Sequence, residues 1–497
     1  MQSRVRIGQM VIVALAAGIV TTVAPTWGQV INEDIKLLPS DGEQKDYFGE
    51  SVAIDGGVIA VGSILGDASG TGSVYLFDAY TGAEIARLLA SDGAVRDYFG
   101  RAVAIDSGII AIGAEGDDDT GEDAGSAYLF DLTTGQELLK LLPDDGAAYD
   151  YFGESIAISD GIVVVGARND DDNGAESGSA YLFDASTGNQ LAKLLPNDGA
   201  GGDLFGHAVA IDGSIVAVGA SRDDNTGSAY LFDADTGTQI SKLIADDATW
   251  DGHFGLSIAI GNGIVAVGSI GNGQRPGAVY LFDASSGFQT AKLVALDSGG
   301  IEDRFGYRVS ISDDIIAIGA PSDDDNGYQS GSAYLYDASS GAEVKKLLPS
   351  DGTESNWFGA SISIDNGIVA VGTPRDDDLG AYSGSAYVFD LDYPTLSVSP
   401  DPLLAGQDAT FTAENLNPDT NSYLAYSLRG LGSTFVGALN VTLDLERPAQ
   451  AGGMVTSDGA GTAQWVLHVP NAGAGRDVWF QACQFELTTN VVASHIE

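Results

Sequence analysis

Runs of adjacent aspartates recur along the chain and carry its clearest potential for chemistry. They occupy residues 117–119, 170–172, 323–325 and 376–378, with a shorter pair at 223–224. Clustered carboxylates and amide oxygens are the hard ligands that Ca²⁺ prefers. The sequence therefore predicts calcium-binding loops, with Asp117, Asp119, Asp170, Asp172, Asp323, Asp325, Asn326, Asp376 and Asp378 as the candidate ligands.

The same aspartates also have a purely structural interpretation. Asp, Asn and Gly form loops readily, because their side chains cap turns and tolerate positive φ. The acids are consecutive, whereas a standard calcium loop alternates them in the order D-x-D-x-D-G. At the level of sequence both interpretations stay open: ligands for Ca²⁺, or side chains that only shape the loops.

The overall charge narrows the classes of partner. Lys and Arg number 22 against 70 Asp and Glu, which gives a net charge of -48 at pH 7. Nucleic acids and anionic membranes bind through Lys and Arg, so we exclude both as partners. Divalent cations and basic partners suit such a surface. The alternative is that the acidity only keeps an exported protein soluble.

The first 28 residues have the pattern of a secretory signal peptide. Arg4 and Arg6 precede an apolar run at 10–23, and cleavage is expected near Gly28 or Ala24. The run is too short for a comfortable membrane span, and no other segment could cross a bilayer. With Cys483 as the only cysteine, no internal disulfide can form. We expect an exported bacterial protein that is secreted, periplasmic or at the cell surface.

A Phe-Gly pair recurs seven times, at intervals of 49 to 53 residues. The pairs begin at Phe48, Phe99, Phe152, Phe205, Phe254, Phe305 and Phe358. Within each repeat, short apolar runs alternate with Gly/Asp turns. In the third repeat these runs are 154–159, 162–166, 180–183 and 190–195, which we name strands a, b, c and d. A period near fifty of this kind predicts a radial β-repeat with one sheet per unit.

The order of the strands predicts a closed ring. Strands a, b and c occur seven times, but the first copy of strand d, residues 35–38, precedes any strand a, and no copy follows Phe389. Pairing this spare N-terminal strand with the last unit would remove the exposed sheet edges. The sequence therefore predicts an all-β protein with a seven-bladed β-propeller over residues 29–392, closed by an N-terminal outer strand.

The loops of such a propeller separate by length. The short a–b and c–d turns lie on one face and the longer b–c and d–a loops, which carry most of the acids, lie on the other. The residue after each Phe-Gly pair varies, and strand a is innermost, so these residues should circle the mouth of the central channel. The candidate ligand-binding residues are Glu50, Arg101, Glu154, His207 and Tyr307. Solvated strand ends would look the same, which leaves a structural alternative.

The combination of Phe305-Gly306, the run at 318–321 (IGAP) and the acids at 323–325 resembles the FG-GAP repeat family. That is the family of the integrin α-chain propeller and of many bacterial secreted proteins, and the similarity extends over residues 30–392. The resemblance implies extracellular binding or adhesion, often with calcium held in the a–b hairpin. Here the a–b hairpins are only Asp-Gly or Asn-Gly turns. We expect a monomeric, non-enzymatic binding protein whose partner is an extracellular protein or glycan.

Two other functions stay open. Neither a nucleophile elbow, nor a His-based metal motif, nor a phosphate loop is present, so no catalytic residue is assigned. A carbohydrate-active enzyme, lyase or hydrolase, would need a polar pocket at the channel mouth where carboxylate and His converge. A flat ring with metal-shaped loops would favour binding instead. A passive structural protein of the cell surface or matrix would have no discrete ligand.

The repeat ends after Phe389, and residues 393–497 have a different pattern. Turn signals such as Ser457-Asp458-Gly459 alternate there with short apolar runs, which are 396–398, 409–413, 423–428, 441–445, 463–469 and 477–483. About 100 residues of short strands predict a small β-sandwich of immunoglobulin-like type. Trp465, Trp479 and Phe480 are expected in or near its core.

Overall fold

A computed structural model describes residues 29–391 except 67–69, 272–275 and 298–302, together with the strands of 395–496 and short segments beside them. The predicted signal peptide, residues 1–28, and the domain boundary at 392–393 lie outside the described residues. No helix among the described residues is long and apolar enough to cross a membrane.

Seven antiparallel sheets of four strands form the blades of a propeller. Blade one contains β3 (Phe48–Asp55), β4 (Val58–Ser63), β5 (Ser73–Asp78) and β6 (Glu84–Leu88). Blade two contains β7 (Ala102–Asp106), β8 (Ile109–Ala114), β9 (Ser126–Asp131) and β10 (Glu137–Leu141). Blade three contains β11 (Ser155–Ser159), β12 (Ile162–Ala167), β13 (Ser179–Asp184) and β14 (Gln190–Leu194). Blades four and five contain β15 (Phe205–Asp212), β16 (Ile215–Ala220), β17 (Ser228–Asp233) and β18 (Gln239–Leu243); and β19 (Ser257–Gly261), β20 (Ile264–Ser269), β21 (Ala278–Asp283) and β22 (Gln289–Leu293). Blade six contains β23 (Arg308–Ser312), β24 (Ile315–Ala320), β25 (Ser332–Asp337) and β26 (Glu343–Leu347), and blade seven contains β27 (Ser361–Asp365), β28 (Ile368–Thr373) and β29 (Ser385–Asp390).

The ring closes as the strand count predicts. Strand β2 (Ile35–Leu37) is the outer strand of blade seven and pairs antiparallel with β29, Ile35 opposite Val388. The all-β, seven-bladed propeller closed by an N-terminal strand is therefore confirmed. Among the described strands of the propeller, β1 (Gln29–Ile31) was not predicted; it pairs in parallel with β26, so the outer edge of blade six gains a fifth strand.

The repeated Phe-Gly pair joins neighbouring blades. Phe48 is fully buried in a cluster with residues of blade seven such as Ala370, and its ring packs edge-on against Tyr75 of its own blade, with centroids 5.6 Å apart. Gly49 has φ +91°, and a Cβ there would collide with the carbonyl oxygen of Ser385 in blade seven. Only glycine permits this close approach of two backbones, which explains why the pair recurs in every blade.

Residues 395–496 are also built of antiparallel strands. One sheet contains β30 (Thr395–Ser399), β31 (Asp408–Glu414) and β36 (Ala463–His468); a second contains β35 (Ala449–Thr456), β32 (Asn421–Ser427), β37 (Arg476–Gln484), β38 (Leu487–Thr488) and β39 (Val492–Ile496); and β33 (Leu431–Val436) pairs with β34 (Val441–Leu445). Trp465 is buried, as predicted. The side chains of Trp479 and Phe480 lie outside the described residues.

Candidate functional site

The two classes of long loop contact one another on one face of the propeller, which we call the long-loop face. In the d–a loop before blade three, the backbone N–H of Tyr149 donates to the carbonyl oxygen of Glu122 in the b–c loop of blade two, at 2.8 Å. The Asp150 carboxylate accepts the N–H of Ala147 at 2.7 Å and so fixes the d–a loop. Hydrogen bonds of this kind join the b–c loop of one blade to the d–a loop that leads into the next blade.

The aspartate runs of this face surround lysine side chains. In blade two, Lys140 Nζ lies 2.8 Å from Asp92 Oδ2, 2.9 Å from Asp117 Oδ2 and 2.6 Å from Asp119 Oδ2. Oxygens of these three carboxylates lie within 4.8 Å of one another, a spacing that suits a metal ion. The centre of this carboxylate group is the ammonium of Lys140, which β10 supplies.

Three other blades repeat the arrangement, and the lysine-to-carboxylate distances there are 2.6 to 3.2 Å. The groups are Lys193 with Asp145, Asp170 and Asp172; Lys346 with Asp297, Asp323 and Asp325; and Lys36 with Asp351, Asp376 and Asp378. All eight aspartates predicted as calcium ligands are thus ion-paired. Lys36 comes from the closing strand β2, so ring closure also completes the site of blade seven.

A tyrosine of strand c completes each of these sites. Tyr128 donates its hydroxyl hydrogen bond to Asp117 or Asp92, both 2.9 Å away, and Lys140 Nζ lies 5.1 Å from the centre of its ring. Burial alone would lower the pKa of Lys140, but its hydrogen bonds to Asp119, Asp92 and Asp117 outweigh burial and hold the pKa above its ordinary value. The lysine therefore stays protonated.

The remaining members of the loops act within the loops. The middle aspartate of the blade-six run, Asp324, accepts the backbone N–H of Gln329 at 2.7 Å. Asn326, also a predicted ligand, donates its side-chain N–H to the carbonyl oxygen of Pro349 at 3.2 Å. The Asp324 contact is the loop-shaping role of the structural alternative, whereas the Asn326 contact ties the b–c loop to the d–a loop that follows the blade.

As arranged here, the donor set does not fit a calcium ion. Ca²⁺ needs six to eight oxygen ligands at about 2.3–2.6 Å. Each complete site offers three aspartate carboxylates, and a tethered ammonium already lies at their centre. The lysines were missed because they lie 21 or 23 residues beyond the acids of the b–c loop, as Lys140 lies beyond Asp119 and Asp117. The sequence nevertheless contains a pattern that points to them, since Lys or Arg occupies the same position of strand d in each blade: Lys36, Arg87, Lys140, Lys193, Lys242, Lys292 and Lys346.

The five predicted ligand-binding residues come together at the channel mouth. They line one cavity of about 440 Å³ on the long-loop face: Glu50, Arg101, Glu154, His207 and Tyr307. Arg101 is the central cation of the cavity. Its Nη1 lies 2.6 Å from Glu50 Oε1, and its Nε lies 2.9 Å from Glu115 Oε1.

Sequence reasoning missed three charged residues at the mouth. Arg168 forms an ion pair with Glu154, Glu115 pairs with Arg101, and the guanidinium of Arg308 lies over the ring of Tyr307, 4.8 Å from its centroid. Glu115 and Arg168 both follow the end of a strand b, at equivalent positions of blades two and three. That position, which varies between repeats, was the available signal.

His207 is held neutral at the mouth. Burial is the main cause, and the positive charges of Arg168, Arg308 and Arg101 add to it, so the pKa of His207 falls to about 3. Its Nδ1 lies 3.2 Å from the hydroxyl oxygen of Ser221. At neutral pH this imidazole can donate or accept a hydrogen bond, but it carries no charge.

Two carboxylate oxygens at the mouth, Oε2 of Glu154 and Oε2 of Glu115, have no hydrogen-bond partner among the described residues. Glu154 is 8% exposed, and its Oε1 faces Arg168. Buried carboxylate oxygens normally accept hydrogen bonds. A donor group of a bound molecule would satisfy Glu154 Oε2.

The floor of the mouth is apolar. Val52, Val103, Ile156, Val209, Ile258 and Val309 line both the mouth and a second cavity of about 260 Å³ that continues down the channel. These residues belong to the innermost strands. The site therefore has a polar rim of charged pairs above an apolar base, a combination usual in ligand pockets.

Comparison with known families matches the repeat over most of the chain. A family model described as FG-GAP repeat matches seven segments: residues 31–77, 83–130, 136–183, 189–232, 238–282, 288–336 and 342–389. No curated protein matches the chain.

Proposed function

The chain belongs to the FG-GAP repeat family, and from that premise we propose that it is a non-enzymatic binding protein whose long-loop face recognises an extracellular protein or glycan. The family's propeller is the scaffold of integrin-like binding proteins. The observation that carries the proposal is the convergence of Glu50, Arg101, Glu154, His207 and Tyr307 on one cavity. These residues come from five different blades. They stand at the same position of each repeat but differ in type from blade to blade, so the packing that all blades share does not account for them.

The charges of the mouth favour binding of a polar ligand over binding of an ion. Arg101 and Arg168 are each paired with glutamates, so the cavity is close to neutral within a strongly acidic protein. Fixed pairs of opposite charge present donors and acceptors in a set geometry, which gives specificity more than raw affinity. A polar ligand with donor groups for Glu154 Oε2 fits this arrangement.

The proposal does not include calcium at the aspartate runs. In each complete site a lysine ammonium group already pairs with three carboxylates and gives the loops an internal cation. Calcium dependence stays a prediction of the sequence, to be tested by titration.

The cellular setting is part of the proposal. The basic, then apolar, then small-residue order of residues 1–28 supports export and removal of a signal peptide. The mature protein would be secreted, periplasmic or at the cell surface of a bacterium, and monomeric. Residues 393–497 would form an immunoglobulin-like β-sandwich; the two antiparallel sheets built from β30, β31, β36 and from β35, β32, β37 support this.

A binding screen tests the proposal. The full chain is applied to arrays of immobilised glycans and extracellular proteins, and its hits are repeated with Tyr307→Ala and Glu154→Gln. We expect each variant to weaken binding at least about tenfold, as central interface residues do. Tyr80→Ser, at an exposed tyrosine beside the a–b turn of blade one on the opposite face, is the control. Hits that the mouth variants leave unchanged would reject the mouth as the binding site.

A carbohydrate-active enzyme is the second candidate, because the mouth is a polar pocket where carboxylates and a histidine converge. The ion pairs of Glu50 and Glu154 and the low pKa of His207 argue against acid–base chemistry near neutral pH. Incubation with polysaccharides, with assays for new reducing ends and for absorbance of unsaturated products, separates the two functions. Product formation that Glu154→Gln abolishes would replace binding by catalysis.

A further inference from the structure

Blade four departs from the repeat and leaves a notch in the long-loop face. Seven residues lie between Asp170 and Gly178 in the b–c loop of blade three, but only three lie between Asp223 and Gly227 in blade four. The shortened loop is a 3₁₀ turn over Asp223–Asn225. A cavity of about 360 Å³ lies beside it, separate from the channel mouth.

Blade four also lacks the third aspartate of the run, because Asn225 stands two residues after Asp223 where Asp172 stands two residues after Asp170. The last aspartates of the other complete runs, such as Asp172, lie 2.6 Å from the lysine of their blade. Asp224 lies 4.0 Å from Lys242, and its side chain is 85% exposed. The Asp224 carboxylate thus lines the notch and is accessible to a ligand.

The opposite wall of the notch is the d–a loop before blade five, which also breaks the repeat. Gly252 stands where Asp150 and its equivalents fix the loop in other blades, and His253 stands in the place of Tyr151. Trp250 lies on this loop and is 69% exposed. The N–H of Asp251 donates to the carbonyl oxygen of Asn225 at 2.7 Å, which ties the two walls together.

The groups that line the notch have complementary roles. Trp250 offers a large apolar face; Asp224 and Asp251 offer carboxylate acceptors; Arg222 and His253 offer N–H donors. A sugar ring has an apolar C–H face and a rim of hydroxyls that both donate and accept, so one such ring can use all these groups at once.

The charges argue against an ionic ligand. The protein carries a net charge of -48, which disfavours anions. Cages for quaternary ammonium ions surround the cation with several aromatic faces, whereas Trp250 is the single indole among the described residues that line the notch. A neutral ligand rich in hydroxyl groups is the remaining class.

We propose that the notch between the loops of blades four and five is a binding site for a neutral sugar residue, which stacks on Trp250 and donates hydroxyl hydrogen bonds to Asp224 and Asp251. The site is distinct from the channel mouth. It gives the long-loop face a second, smaller recognition element, in which Trp250 and His253 stand at positions that hold other residue types in the other blades.

The test uses the full chain and a panel of neutral oligosaccharides of glucose, galactose, mannose and N-acetylglucosamine. Binding is followed by tryptophan fluorescence and by calorimetry. We expect at least one oligosaccharide to saturate with a blue shift of the emission, because stacking would shield Trp250. Trp250→Ala should weaken this binding at least about tenfold, Asp224→Asn severalfold, and Trp250→Phe less than Trp250→Ala.

Tyr328→Ala is the matched control, since Tyr328 is an exposed aromatic on the b–c loop of blade six. It should leave sugar binding unchanged, and melting curves should show that every variant is folded. The proposal is overturned if no member of the panel saturates, if Trp250→Ala binds as tightly as the unaltered chain, or if choline binds at Trp250 in place of sugars. Glu154→Gln should not alter sugar binding at the notch, so failure here and failure of the channel mouth give different results.

Discussion

Lys346 Nζ lies 2.6 Å from Asp325 Oδ2, and the lysine side chain is only 3% exposed. The lysine comes from the outer strand of blade six and the aspartate from the b–c loop of the same blade. The pair therefore fastens the loop to the blade edge. A protein with 70 acidic residues places several of its 22 bases at these points, so the loops are ordered by the chain's own cations.

Removal of this lysine should destabilise the propeller. Lys346→Met leaves Asp323 buried without its cation, and we expect the free energy of unfolding to fall by about 2 kcal/mol or more. The decrease should be smaller than for a fully buried ion pair, because Asp297 and Asp325 are 45% and 49% exposed. Lys292→Met is the control. Because Lys292 is 34% exposed and pairs with Asp247, this substitution should lower the free energy of unfolding by no more than about 1 kcal/mol. Thermal and denaturant unfolding measure both. Equal losses would contradict a structural role for the lysine-centred sites.

The closing strand should be essential to the stability of the ring. Leu37 on β2 is 1% exposed and packs in the cluster between blades seven and one. Leu37→Ala should cost about 2–5 kcal/mol, as for other buried leucines. Val30→Ala is a suitable comparison, because Val30 lies on β1 and is 50% exposed. If both variants melted at the same temperature, closure by β2 would not stabilise the propeller.

The buried aspartates before the Phe-Gly pairs should make stability depend on pH. Burial raises the pKa of Asp150 to about 6, from an ordinary value of 3.8. The folded state thus holds the proton more tightly than the unfolded state, and stability falls as pH rises through the window between these two values. Asp150→Asn should therefore melt at a higher temperature than the unaltered chain at pH 7 and at a similar temperature near pH 4.

The chain contains its own precedent for this substitution. Asn356 occupies the equivalent position before blade seven, where its Oδ1 accepts a hydrogen bond from the hydroxyl of Thr353 at 2.9 Å. An amide is thus compatible with the loop. A variant Asp150→Asn that lost stability equally at both pH values would contradict the raised pKa of Asp150 as a source of the pH dependence.

The histidine of the channel mouth should not titrate near neutral pH. With its pKa lowered to about 3 by burial and by Arg168, Arg308 and Arg101, His207 stays neutral from pH 8 down to about pH 4. Nuclear magnetic resonance of the imidazole Cε1–H measures this, and His207→Gln assigns the signal. A chemical shift that titrates between pH 6 and 7 would mean that His207 is open to solvent at the mouth. It would also support the alternative function, a carbohydrate-active enzyme.

Much of the fold was predictable because the same pattern of four strands recurs in each of the seven repeats. The periodic Phe-Gly pairs predict the number of blades, and the spare strand at 35–38 predicts the closure. Strand β1 was not predicted, because a three-residue strand on an outer edge has no periodic partner in the sequence. In residues 395–496, β33, β35, β38 and β39 were not predicted, because no repeat supports an assignment there.

The candidate site was predictable only in part. The residues after each Phe-Gly pair meet at the mouth because they begin the innermost strands. Arg168 was missed because it enters the mouth from the end of strand b. The ion pairing of the acids with lysine could not be predicted from local spacing, since Lys193 lies 23 residues beyond Asp170 and reaches it only when strand d lies beside strand c.

A calorimetric titration of the full chain with CaCl₂ after chelation, with melting curves at each concentration, tests most directly whether lysines hold the acidic sites. We expect no saturable heat and no rise in melting temperature beyond that given by NaCl of equal ionic strength, because selective binding to the native state would be needed for such a rise. Saturable heat that Asp323→Ala and Asp325→Ala reduce would show that Ca²⁺ displaces Lys346, and the lysine-centred account of the long-loop face would be wrong.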